Sequence, residues 1–68
     1  MRDPARIERI LPLLKEVWSM VPDWRLGQLM VNIAAESGWG DRTYYVEDQE
    51  VEETLRAWKE QWKEEKSR

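Results

Sequence analysis

The sequence predicts an all-α domain of three helices, a helical hairpin followed by a third amphipathic helix. Apolar residues recur at spacings of three and four over most of the chain, and helix-start and helix-stop residues separate those runs. Only one short stretch favours extended structure, and it has no second strand to pair with. Sixty-eight residues make a single domain, 1–68. A chain this short buries only about 60% of its unfolded surface, so it needs help to be stable. With no cysteine and no histidine, that help comes neither from disulfides and thiolate sites nor from structural zinc. Five tryptophans supply a core instead, each removing on the order of 200 Å² from water when buried. A second subunit is the other source of stability open to such a chain.

The first helix is expected at about 4–21. Asp3 can cap its exposed amides, and Pro4 suits the first helical position, where its missing N–H has no partner. Ile7, Ile10, Leu11, Leu14, Val17, Trp18 and Val21 form one apolar stripe that passes Pro12 without a change of phase. Pro12 then either bends a continuous helix or lies in the first turn of one that begins near Arg9.

Val21-Pro22-Asp23 reads as the turn of the hairpin. Asp23 is the expected cap of a second helix over about 24–37, and Gly38 suits the left-handed position that closes it. Residues 39–46 form a connector with Gly40 and Asp41 in a turn and an extended stretch at 43–46. The third helix is expected at about 48–65, capped by Asp48, with EEKSR fraying at its end. Its apolar residues Val51, Leu55, Trp58 and Trp62 are spaced 4, 3, 4, a narrow seam that covers one groove.

The second helix is apolar on two sides. A wheel at 100° per residue gives a core face of Leu26, Leu29, Met30 and Ile33, and a polar strip of Arg25, Gln28, Asn32 and Glu36. A third face carries Trp24, Gly27, Val31 and Ala35. A glycine inside a helix costs about 1 kcal/mol relative to alanine, so a packing reason is expected for Gly27. Either the third helix covers this row within one chain, or another molecule does. The single seam of the third helix favours the second arrangement. Gln28 and Asn32 would then fix register at the edge of the interface, as buried amides do in paired helices. As ordinary boundary residues they would bond to nearby backbone, with Arg25 held by a carboxylate.

Net charge is −3. Residues 1–42 carry six acids and six bases, whereas residues 43–68 carry eight acids and five bases, which accounts for the whole excess. An acidic chain with no basic stripe argues against nucleic-acid binding, and a second helix with one basic residue argues against a helix-turn-helix reader. No apolar run is long enough to span a membrane, and the N-terminus lacks the apolar core of a signal peptide. A cytoplasmic protein is the expectation. Without His or Cys the usual bases, thiol nucleophiles and soft metal ligands are missing, and Ser19 and Ser37 have no visible activator. Neither an enzyme nor a cofactor is expected.

Two readings of function follow. The first is a protein–protein interaction module, a homodimer or the binder of one protein partner, acting through Trp24, Gly27, Gln28, Val31, Asn32 and Ala35. The second is an acidic inhibitor or nucleic-acid mimic that offers Glu47, Asp48, Glu50, Glu52 and Glu53 to a basic protein. Dipole compensation and solubility explain the same acids without a partner.

R-D-P-x-R-I at Arg2 to Ile7, P-D-x-R-L-G-Q-L at Pro22 to Leu29, Asn32, and Y-x-E-D at Tyr45 to Asp48 resemble a group of short bacterial and phage proteins. The stretch PDWRLGQLMVNIAAESG also resembles the middle of the YihD-like bacterial proteins, over about residues 8–38. The resemblance implies a bacterial or mobile-element source and carries no assigned activity. Small acidic proteins of that kind often bind and block a host protein, an association with the second reading.

Overall fold

The computed structural model describes residues 3–40 and 42–66, with side chains to residue 64. Helix α1 spans Ala5–Met20, α2 spans Leu26–Glu36 and α3 spans Asp48–Lys66, with a single 3₁₀ turn at Thr43–Tyr45. The all-α three-helix reading holds. Arg2 and Asp41, invoked above in a motif and a turn, lie outside the described residues, as do Ser67 and Arg68 of the tail. No described helix is long and apolar enough to cross a membrane.

Contacts across the helices set their directions. Arg6 meets Asp48, Arg9 meets Glu52 and Glu16 meets Lys59, so α1 and α3 run parallel. Trp24 packs on Trp62, the Ser37 hydroxyl meets that of Thr54, and Trp39 bonds to Glu50, so α2 runs antiparallel to α3. The order is up, down, up.

Each helix start and stop has a local cause. The Ala5 N–H donates to Asp3 Oδ1 at 2.9 Å, as expected of Asp3. Pro12 lies inside one continuous α1, so the helix does not begin at Arg9. The cap of α2 is Arg25, not Asp23. The Trp24 N–H donates to the Val21 carbonyl at 3.0 Å, which prolongs the turn past Asp23. The Gln28 side chain then accepts the Arg25 N–H at 3.0 Å. At α3 the cap is Glu47 rather than Asp48: its carbonyl accepts the Val51 N–H, and its own N–H donates to Glu50 at 3.1 Å. In both helices the third residue reaches back to the cap amide, half of a capping box without a Ser or Thr.

Gly38 closes α2 as expected. Its φ is +90°, the Gly38 N–H reaches the Ala35 carbonyl and the Trp39 N–H reaches the Ala34 carbonyl, the paired bonds of a Schellman motif. A Cβ built there meets nothing within 4 Å, so the cost of a side chain is purely backbone. Gly38→Ala is expected to lower stability by about 1–2 kcal/mol in a denaturant titration, with the slope unchanged.

Of the stretch 43–46, Thr43–Tyr45 form a 3₁₀ turn and only Val46 has extended backbone. Tyr45 donates to the Arg42 carbonyl and Val46 to the Thr43 carbonyl, so a tight turn satisfies the backbone that a strand would leave unpaired.

The core holds Leu13 and Val17 from α1, Leu29, Ile33 and Ala34 from α2, and Leu55 and Trp58 from α3. The α3 seam packs as its spacing predicts, with Val51 and Trp62 partly buried against the core. The α1 stripe does so only in part, through Ile10, Leu14, Val17 and Trp18. Leu13, outside the expected stripe, is buried, while Ile7 and Leu11, inside it, are 45% and 57% exposed. Leu26, expected in the core, is 45% exposed at the first turn of α2.

Candidate functional site

The surface offers three constellations, and the first is the row on α2. Gly27 and Ala35 are exposed and Val31 is 44% exposed, so α3 does not cover them. A Cβ on Gly27 would meet nothing within 4 Å, so nothing inside the chain requires glycine there. Trp24 is not part of this row. It lies in the turn before α2, where the helical wheel does not apply, and stands edge-on to Trp58 at 6.1 Å and to Trp62 at 5.9 Å. Its carbonyl accepts the Trp18 indole N–H at 2.8 Å. Gln28 is engaged as the α2 capping partner. Asn32 is half-buried beside the row. Arg25 and Glu36 are exposed, and no described carboxylate pairs with Arg25, contrary to expectation.

The acidic run at the start of α3 is the second, and the chain uses these acids itself. Asp48 pairs with Arg6, and Glu52 pairs with Arg9 at 3.4 Å and Arg56 at 2.8 Å. Both Glu50 oxygens accept the Trp39 indole N–H at 3.2 Å, and Glu53 accepts from Gln49 at 3.1 Å. Three arginines thus meet two of the five acids, Asp48 and Glu52, so the patch is a partly compensated seam between α1 and α3. The Arg56 hydrogen bond chiefly holds the Glu52 carboxyl below its ordinary value; partial desolvation opposes this, and the charges of Arg9 and Arg56 add to it. Stability from this lowered value is complete above about pH 4.5, the ordinary value, and fades as pH falls through the lower folded value. Wild type is therefore expected to be more stable than Glu52→Gln near neutrality and to lose that lead in acid. Denaturation midpoints of the two chains across pH read this directly.

The third constellation is the outward side of α1. Ile7, Leu11, Leu14 and Trp18 form an apolar line in which Ile7 and Leu11 are exposed, while Leu14 and Trp18 are partly buried and pack against the core on one side. Leu11, Leu14, Lys15, Trp18, Ser19 and Pro22 bound an open hollow of about 440 Å³ on the same side. Ser19 is bonded to the Lys15 carbonyl of its own helix at 2.7 Å, so its hydroxyl is occupied. On a helical wheel this line merges with the core stripe. The signal that separates them is width: one seam uses positions 10, 13 and 17, and a second, one step round the helix, uses 7, 11, 14 and 18.

The connector displays aromatic surface as well. Tyr44 is 94% exposed and edge-on to Tyr45, which stacks on Trp39 at 5.9 Å.

No family model, curated protein or solved structure matches this chain. Residue roles accordingly come from the geometry alone.

Proposed function

We propose that this protein is a non-enzymatic protein–protein interaction module that self-associates. The observation that supports this reading is the uncovered apolar surface of the two hairpin helices. Beside seven buried apolar residues among the described ones, Ile7 and Leu11 on α1 and Val31 on α2 remain between 44% and 57% exposed. Exposed apolar side chains on so small a domain mark an interaction surface where they lie together, as Ile7 and Leu11 do one turn apart on α1. Burying them against a partner adds about 25 cal/mol per Å² to the stability that a small core leaves short. Two candidate contacts lie on it: the Ile7 to Trp18 line on α1, and on α2 the row of Gly27, Val31 and Ala35 with Gln28 and Asn32 at its edge.

The acidic reading is the weaker one. A basic partner would have to displace Arg6, Arg9 and Arg56 from the acids they already meet. Its signature would be binding that weakens steeply with added salt, as apolar association does not. Absolute mass by light scattering behind a sizing column, over about a hundredfold dilution, tests self-association. A two-chain mass at the concentrated end is the expected result. A one-chain mass throughout would overturn the self-association reading.

A further inference from the structure

The outward line on α1 carries the pattern of a pairing seam. Ile7, Leu11, Leu14 and Trp18 are spaced four, three and four, the alternation of core positions in a heptad. Glu8 and Lys15 each follow a seam residue and stand on one edge of it. Ile10 and Val17 stand on the other edge and pack into the chain's own core, as Leu14 and Trp18 of the seam do with part of their surface. A helix laid along this seam therefore meets charge on the Glu8–Lys15 edge alone.

That asymmetry selects a direction. In a parallel pair of helices unlike edges meet, so Glu8 and Lys15 would face Ile10 and Val17. In an antiparallel pair like edges meet. A two-fold axis between Leu11 and Leu14 then sets Ile7 across from the Trp18 of the other copy, and Leu11 across from its Leu14. The same axis brings Glu8 within one turn of the other copy's Lys15, an opposite-charge pair that forms twice. Both side chains are exposed, and neither makes an ion pair among the described residues. The hollow bounded by Leu11, Leu14, Trp18 and Pro22 faces the position that Ile7 of the other copy would take. Pro12, which cannot donate a backbone hydrogen bond, lies away from the seam.

We propose that a second copy of this chain covers the face, its α1 antiparallel to the first and each Ile7 seated in the other's hollow. The proposal rests on the self-association reading and gives it a surface, a register and a charge pairing. Sixteen residues of α1 extend about 24 Å, a short interface, so the dimer is expected to dissociate on dilution.

The test compares solution mass and far-ultraviolet circular dichroism across the wild type and five variants. Leu11→Glu is expected to be monomeric at every concentration with its helicity retained. Glu8→Lys and Lys15→Glu are each expected to weaken the dimer about tenfold by setting like charges together, and the double exchange to restore it. Gly27→Leu, whose new side chain meets no atom of its own chain, is expected to leave the dimer intact. A dimer that Gly27→Leu abolishes and Leu11→Glu spares would overturn the α1 proposal while self-association stands, placing the contact on α2. A dimer lost in Leu11→Glu but not rescued by the double exchange would overturn the antiparallel register. A wild-type monomer at all concentrations would overturn both the proposal and the reading beneath it.

Discussion

Truncation of Trp58 to alanine is expected to leave the chain unfolded, or close to it, at room temperature. Removing a buried tryptophan costs about 3–5 kcal/mol. A domain of 68 residues has roughly 0.05–0.15 kcal/mol per residue in hand, about 3–10 kcal/mol in all. Trp58 is 9% exposed, stacks on Trp62 at 5.2 Å and meets the edge of Trp24 at 6.1 Å. Its loss would uncover Trp24, which ties the hairpin turn to α3, so the damage reaches all three helices. Urea denaturation followed by circular dichroism checks it. A variant that retains a cooperative transition at the wild-type midpoint would show that the tryptophan cluster is not the centre of the core.

Alanine substitution at Leu13 and at Leu11 is expected to separate two residues that sequence periodicity treats in the opposite way. Leu13 is 7% exposed and packs with Val17, Leu29, Ile33 and Leu55; Leu13→Ala is expected to cost about 2–5 kcal/mol. Leu11 is 57% exposed; Leu11→Ala is expected to stay within about 0.5 kcal/mol in the dissociated chain. Thermal melts at the dilute end, where any dimer has come apart, give the comparison. Equal losses at both positions would mean that α1 is rotated about its axis relative to the arrangement described.

Local signals were the most legible. Asp3 before Pro4, Gly38 after Ser37, and the 4, 3, 4 spacing of Val51, Leu55, Trp58 and Trp62 all act within a few residues, and each is found where the spacing puts it. The caps of α2 and α3 were displaced because the preferred residue types are not the only means of satisfying an amide. Gln28 and Glu50 do it from the third helical position, and the Val21–Trp24 turn bond carries the chain past Asp23. The stretch 43–46 favours extended structure by residue type, yet a strand needs a partner for its amides and a 3₁₀ turn supplies its own. Of the expected interface, Gly27, Val31 and Ala35 are open to solvent, while Trp24 belongs to the aromatic cluster and Gln28 to a cap. The α1 seam went unread because two adjacent apolar lines project onto one broad stripe when no neighbouring helix is in view.

The sequence by itself determined that the chain is helical, how many helices it makes and where they break, because propensity, capping and glycine conformation are settled within a turn or two. It also determined that the third helix presents one narrow seam. Only the tertiary structure decided which side of α1 that seam covers and which apolar residues are left outside. Parallel α1 and α3, joined by Arg6–Asp48, Arg9–Glu52 and Glu16–Lys59, turn Leu13 inward and Leu11 outward. The α3 seam leaves Ile7 and Leu11 of α1 exposed, and those are residues through which a second chain can be met.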